Sequence, residues 1–251
     1  MKNPIYTLLG AFVLVLVIML LTGPIAQDLV YHRFADTLKI GPIPNFWNVI
    51  SNFPFCVTGA VGILVISKSS LRGWHKWNWI ILFVGVFLTG IGSSWYHLDP
   101  TNDSLVWDRL PMVVIFMPFF TICLHYYFGD KWLKPGLLIL LPTGLFSVIY
   151  WAYTETIGTG DLRLYALVQF FPMVALTVLL VIKKTASGFR KLLLLVMLSY
   201  ISAKFCEHFD TIIDDVIGFS GHSLKHLFAA LATWFMVRIA ILNTANDEQN
   251  E

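Results

Sequence analysis

Eight stretches of some twenty residues carry no charge except near their ends, and this pattern limits the chain to one class of fold. They fall at about 5–22, 46–66, 79–97, 108–128, 135–153, 164–182, 192–210 and 222–242. At 1.5 Å of rise per residue, roughly 20 apolar residues cross the hydrocarbon core of a bilayer. Backbone groups in lipid must be satisfied within their own segment, so such runs span as helices. The short alternating segments of a membrane β-barrel are absent from the sequence. With 57% hydrophobic and 13% charged residues, the chain also lacks the charge that covers a soluble domain. The expected fold is an all-α polytopic membrane protein, a bundle of seven transmembrane helices with an additional N-terminal hydrophobic helix.

The expected organisation follows from the runs. Residues 1–22 form an N-terminal transmembrane anchor or signal-like segment, 23–45 a non-cytoplasmic connection, 46–242 the seven-helix core and 243–251 a polar, disordered cytoplasmic tail. Lys2, an apolar run and Ala26 resemble a signal peptide. The run is long for one, however, and a retained helix is the expectation. Loop charges orient the spans. Lys68, Arg72 and Lys76, then Lys131 and Lys134, then Lys183, Lys184, Arg190 and Lys191 occupy alternate loops, and the opposite loops are mainly acidic. Cations stay on the cytoplasmic side, which places both termini there. No basic block is long enough to suggest nucleic acid. Cys56, Cys123 and Cys206 lie in apolar runs without CxxC spacing and read as inert buried thiols.

Ionisable residues in spans are costly and mark function by default. Here they gather at one depth, the non-cytoplasmic ends of the spans: Ser93, Ser94 and His97; Asp108 and Arg109; Lys204, Glu207, His208 and Asp210; His222, Lys225 and His226. His222 and His226 are four apart, on one helical face with Cβ atoms about 5–6 Å apart. One metal ion fits between them, and His97 from another span could complete three nitrogens plus water, the open arrangement of catalytic zinc. Such an ion lowers the pKa of water to about 7. Asp108 could take the proton of the attacking water. Ser93, one turn before His97, could donate to a developing oxyanion.

Each residue alone has a blander reading. The histidine pair could serve hydrogen bonding within the bundle, and His97 could be an interfacial residue. Asp108 could cap a helix, and Ser93 could bond the preceding turn. Lys204 and Glu207, three apart, read as a structural ion pair. His208 reads as facing solvent, and Asp210 as a helix-end aspartate before it reads as a carboxylate orienting an imidazole. Trp95, Tyr96 and Trp107 read as an interfacial aromatic belt. His32, His75 and His125 show no partner pattern.

Four segments together carry a resemblance. Asn45-Phe46-Trp47-Asn48-Val49-Ile50-Ser51-Asn52-Phe53-Pro54 resembles the opening of the first core helix of the alkaline ceramidases. Gly92-Ser93-Ser94-Trp95-Tyr96-His97 and Trp107-Asp108-Arg109-Leu110-Pro111-Met112 resemble their Ser-x-x-x-His and Asp-(Glu/Arg)-Leu-Pro-Met elements. Gly221-His222-Ser223-Leu224-Lys225-His226 resembles their final His-x-x-x-His. The resemblance spans about residues 44–242. It extends to the seven-helix superfamily that includes the adiponectin-receptor-like proteins.

The resemblance implies a zinc ion held by His97, His222 and His226, completed by Asp108 and Ser93. It implies cleavage of a ceramide or related N-acyl lipid to a free amine and a fatty acid, with substrate drawn from the membrane. Eukaryotic members carry an acidic calcium-binding segment before the first core helix. Here the stretch from Gln27 to Asp36 has two aspartates and no such cluster, which argues against calcium. The short loops suit a bacterial inner membrane with the metal site toward the non-cytoplasmic face. A receptor-like or regulatory membrane protein with a structural zinc site and no turnover is the alternative. The sequence leaves the oligomeric state open.

Overall fold

The computed structural model describes residues 4–248, with side chains described through residue 245. Among the described residues the regular structure is helical: α1 (Pro4–Leu21), α2 (Phe46–Ile50), α3 (Phe53–Ser67), α4 (Gly73–Leu98), α5 (Asn102–Phe128), α6 (Leu133–Pro135), α7 (Leu141–Thr156), α8 (Arg163–Ile182), α9 (Ser187–His208), α10 (Asp210–Ile217) and α11 (Gly221–Glu248). A π-helical stretch, Gly136–Leu140, joins α6 to α7 into one rod.

Among the described residues, seven helices are long and apolar enough to cross a membrane: α1, the pair α2–α3, α4, α5, the α6–α7 rod, α8 and α11. The chain is a multi-pass integral membrane protein. The eighth expected span, 192–210, corresponds to α9, which passes that test only jointly with α10, bent 83° away from it. The bend falls at Phe209, directly after Glu207 and His208, and the short α10 opens on Asp210. Helices also start earlier than the apolar runs. α5 begins at Asn102 rather than at Asp108, because Thr101 and Ser104 form a capping box there. The tail expected from residue 243 continues as helix to Glu248, and the buried Asn243 amide sits 2.6 Å from His75 Nε2. The remainder of that tail, 249–251, and the first three residues lie outside the described residues.

The larger apolar core packs α4, α5, α8, α9 and α11 around Trp79, Leu82, Phe83, Ile122, Leu179, Leu193 and Val237, all inaccessible. α1 stands apart. None of its residues is buried, and it leans on α8 through Phe12 and Phe171, whose rings meet edge to face at 5.2 Å. Its end is pinned by Arg163, which donates to the carbonyls of Met19 and Thr22.

Two glycines set the helix approaches that matter for the site. A Cβ on Gly92 would collide with the carbonyl oxygen of Trp107, so glycine is what lets α4 meet α5 beside Ser93 and Asp108. A Cβ on Gly221 would lie 2.5 Å from the carbonyl oxygen of Cys206, so glycine also lets α11 start against the end of α9.

Candidate metal centre

α4 and α11 deliver three imidazoles to one buried point. His97, one turn after Ser93 at the end of α4, is 1% exposed, and His222 and His226, in the first two turns of α11, are each 3% exposed. The three ring centroids form a triangle with every side 4.9 Å. One ligand atom from each lies within 4.8 Å of the others, so the three could hold a single metal ion. His97 Nε2 and His226 Nε2 face each other at 3.3 Å. A neutral imidazole has one donor and one acceptor nitrogen, so two such facing atoms share one proton at most, whereas a cation accepts both lone pairs. The donor set of three nitrogens is one that a divalent ion accepts. His75 and His125 meet with tilted rings 4.6 Å between centroids, but at the start of α4 and the end of α5. His75 precedes His97 by 22 residues of helix, roughly 33 Å, and plays no part here.

A collar of polar residues fixes these rings. Ser51 Oγ lies 2.8 Å from His226 Nδ1, so the Nε2 side of that ring is turned inward. Asn45 donates to the carbonyl of His97 at 2.9 Å, and Ser94 donates to the carbonyl of Val49 at 3.0 Å. Ser223 donates to Asn48 Oδ1 at 2.8 Å. The α2 segment thus grips the end of α4 and the start of α11 together. Asp210 accepts from the backbone N–H of His222 at 2.8 Å and from Ser220 Oγ at 2.7 Å. It orients the chain entering α11 rather than an imidazole, in keeping with a helix-end aspartate. His97 Nδ1 is buried with no hydrogen-bond partner among the described residues.

The connection before the core crosses this point. Phe34 packs its ring 4.4 Å from that of His222 and 4.7 Å from that of His97, between centroids. Its neighbours strap it down. His32 Nδ1 lies 2.9 Å from the Tyr96 hydroxyl and its Nε2 lies 2.9 Å from Asn102 Oδ1. The Ala35 N–H donates to Asp210 Oδ2 at 2.9 Å, and Asp36 accepts from the N–H of Asn48 at 2.8 Å. Tyr96 is therefore interior, 1% exposed, and not part of an aromatic belt. Trp95 and Trp107, each 59% exposed, do face outward.

The other expected residues fall as follows. Ser93 and Asp108 are buried, at 3% and 7% exposure. Neither side chain makes a hydrogen bond among the described residues. Asp108 lies well inside α5 and caps nothing, since Thr101 holds the cap. Its charge acts on Lys225 and Tyr96, which puts it within electrostatic range of the histidines' surroundings. Arg109, 6% exposed, stacks 4.1 Å above Trp151 and 4.7 Å from Tyr165, and donates to Gln27 Oε1 at 2.6 Å. Glu207 pairs with Lys204 at 2.6 Å, as its spacing suggested, and also with Lys225 at 2.7 Å. Tyr31 donates to the same carboxylate at 3.2 Å. Burial first, and the charge of Glu207 second, push the Tyr31 phenol well above its ordinary pKa. His208 is exposed.

Sequence reasoning missed His32, Phe34 and Ser51. Ser51 lay within a quoted motif, but nothing in its spacing pointed to a histidine 175 residues away.

The family model for Ceramidase matches residues 41–251. The chain belongs to the Ceramidase family. The match begins just before α2 and so covers the seven-helix core, and leaves α1 and the strap from Ile25 to Ile40 outside it. No curated protein matches the chain. Membership of the Ceramidase family implies an amidohydrolase that acts on a lipid.

Proposed function

We propose that this protein is an intramembrane zinc-dependent amidohydrolase that cleaves a ceramide or related N-acyl lipid to a free amine and a fatty acid. The observation that carries the reading is the buried triangle of His97, His222 and His226 in a chain of the Ceramidase family. A zinc ion supplies, when bound, the Lewis-acidic centre that makes water a nucleophile near neutral pH.

The chain's own residues do the rest. Asp108 accepts a proton from water as its oxygen adds to the amide carbon. The C–N bond then breaks as that proton passes to the leaving nitrogen, giving an amine and a carboxylic acid. The acid's remaining proton then moves to the amine, so the products leave as a carboxylate and an ammonium. A buried carboxylate free of other hydrogen bonds suits that exchange. Ser93 donates a hydrogen bond to the oxygen that gains negative charge. Phe34 and the strap keep bulk water from the histidines. The positive loops support a non-cytoplasmic position for this end of the bundle, and the short loops suit a bacterial inner membrane, with substrate entering from the bilayer into the core of residues 46–242.

The test is fatty-acid release from N-acyl sphingoid bases by purified protein in detergent. Wild type should release fatty acid, lose activity to a chelator and regain it with zinc. His222→Ala and Asp108→Asn should be inactive while still folded. Full activity in the metal-free protein, or in Asp108→Asn, would overturn the reading. In cells, the lipid that accumulates with Asp108→Asn names the substrate.

A further inference from the structure

One charged group touches the histidine triangle and has no part in the chemistry above. Lys225 lies between His222 and His226 on α11, its side chain 15% exposed. Its Nζ stands 3.2 Å from His222 Nε2 and 2.7 Å from Glu207 Oε1. Glu207 is itself fixed by Lys204 at 2.6 Å and by Tyr31 at 3.2 Å. An ammonium has three donor hydrogens. Glu207 and His222 engage two, and no third acceptor lies within reach among the described residues. Two ammonium groups, Lys204 and Lys225, share the carboxylate of Glu207, and the charge of Asp108 also acts on Lys225. A buried donor left without an acceptor is costly, and the free donor lies beside the triangle.

We infer that Lys225 is a second oxyanion-recognising residue of this centre, beside Ser93, donating to the substrate's carbonyl oxygen and to the carboxylate it becomes, with Glu207 as the positioning residue that seats it. The inference rests on the proposed amide hydrolysis for its catalytic meaning, but carboxylate recognition can be measured without turnover. Lys225 gains and loses no proton in this role. It supplies a fixed charge where negative charge develops, an effect whose removal costs about 10²–10³ in rate when a single donor is deleted.

The experiment uses the full-length protein in detergent, stripped with a chelator, and compares binding of palmitate with binding of the corresponding uncharged fatty alcohol. Wild type should prefer palmitate. Lys225→Met should weaken palmitate about 10- to 100-fold, the range for a hydrogen bond to a charged group, and leave the alcohol unchanged. Lys225→Arg should keep much of the preference. Equal palmitate affinity in wild type and Lys225→Met, or equal loss of both ligands, overturns the inference. A merely structural ion pair gives a different pattern. If Lys225 only partners Glu207, the double variant Lys225→Met with Glu207→Gln removes both charges and should recover palmitate binding. If Lys225 meets the carboxylate, the double variant stays weak, and it also decides the matter should the single variant fail to fold. Wild type that hydrolyses no N-acyl lipid yet shows the palmitate contrast would sink the amidase reading and leave Lys225 as an anion site. Turnover without the contrast would do the reverse.

Discussion

His97 Nε2 and His226 Nε2 lie 3.3 Å apart although 129 residues separate them in the chain. Two helices far apart in the chain meet there, α4 ending and α11 beginning, so antiparallel spans bring a terminal turn of one against a first turn of the other. Two ring nitrogens at that separation, buried and supplemented by His222, are poorly served by one another and well served by a cation. Ring orientation then decides affinity, and the collar around the histidines sets it.

Ser51 should therefore tune metal binding. Its hydroxyl lies 2.8 Å from His226 Nδ1 and holds the ring's other nitrogen inward. Partners of this kind typically govern metal affinity by about 10- to 100-fold. Ser51→Ala should bind zinc more weakly by that range in competition against a chromophoric chelator, and Ser51→Thr should retain most of the affinity. An unchanged affinity in Ser51→Ala would mean that the hydroxyl does not orient the ring.

Gly92 should be intolerant of any side chain. Its missing Cβ makes room for the Trp107 carbonyl, and this contact sets the spacing of α4 and α5 at Ser93 and Asp108. Overpacking of this type costs about 1–3 kcal/mol. Gly92→Ala should lower the thermal stability of the protein in detergent accordingly. Gly10→Ala on α1, where nothing lies within 4 Å of the added atom, is the control and should unfold with wild type or above it.

Asp161 ties stability to acid. It lies in the loop between α7 and α8 and accepts from Arg163 Nη2 at 2.7 Å, from Arg163 Nε at 2.8 Å and from the Tyr150 hydroxyl at 3.2 Å. The hydrogen bonds from Arg163 hold its carboxyl below the usual carboxylate range. A carboxylate with a depressed pKa in the fold stabilises the protein above its unfolded pKa, about 3.9, and that contribution disappears as the pH falls through the lower folded value. Wild type should thus exceed Asp161→Asn in thermal stability at pH 7, with the gap closing below about pH 4. A gap that stays constant through the acid range would show that the charge of Asp161 contributes nothing.

Much of this architecture was open to reading because the bilayer imposes a simple rule. Uncharged runs gave the spans, and the polar residues interrupting them gave the histidines, Ser93, Asp108 and the Lys204–Glu207 pair. Helix starts were less legible. α5 opens six residues before Asp108 because its cap uses Thr101 and Ser104, polar residues that end a hydropathy run without ending a helix. The bend after His208 depends on how α9 meets α10, which no periodicity encodes. Tyr96 looked interfacial beside Trp95 and Trp107, yet its side chain is turned into the interior, where His32 meets it. Residues that act through a partner distant in sequence, such as Ser51 and Phe34, leave no local pattern at all.

Phe34 is the residue on which access to the centre should depend. Its ring lies over both His97 and His222, 4.7 and 4.4 Å between centroids, and belongs to a connection outside the matched family core. The strap holds that ring through bonds on either side of it, His32 to Tyr96 before it and Ala35 to Asp210 after it. Removing the ring alone should leave those bonds in place and open the histidines to solutes. Zinc-loaded Phe34→Ala should therefore lose its metal to a soluble chelator several-fold faster than wild type, whereas Phe34→Leu, which retains an apolar cover, should fall between them. Equilibrium affinity should change less than the extraction rate, because no ligand atom has been touched. His32→Ala offers an independent route to the same end, since it removes the strap's anchor to Tyr96 and Asn102 without altering Phe34 or a residue that holds α11. It should also speed extraction, and its effect should shrink when combined with Phe34→Ala, because two ways of lifting one cover are not additive. Identical extraction rates in wild type and Phe34→Ala would show that chelators reach the histidines by another path, through the bundle rather than past the strap.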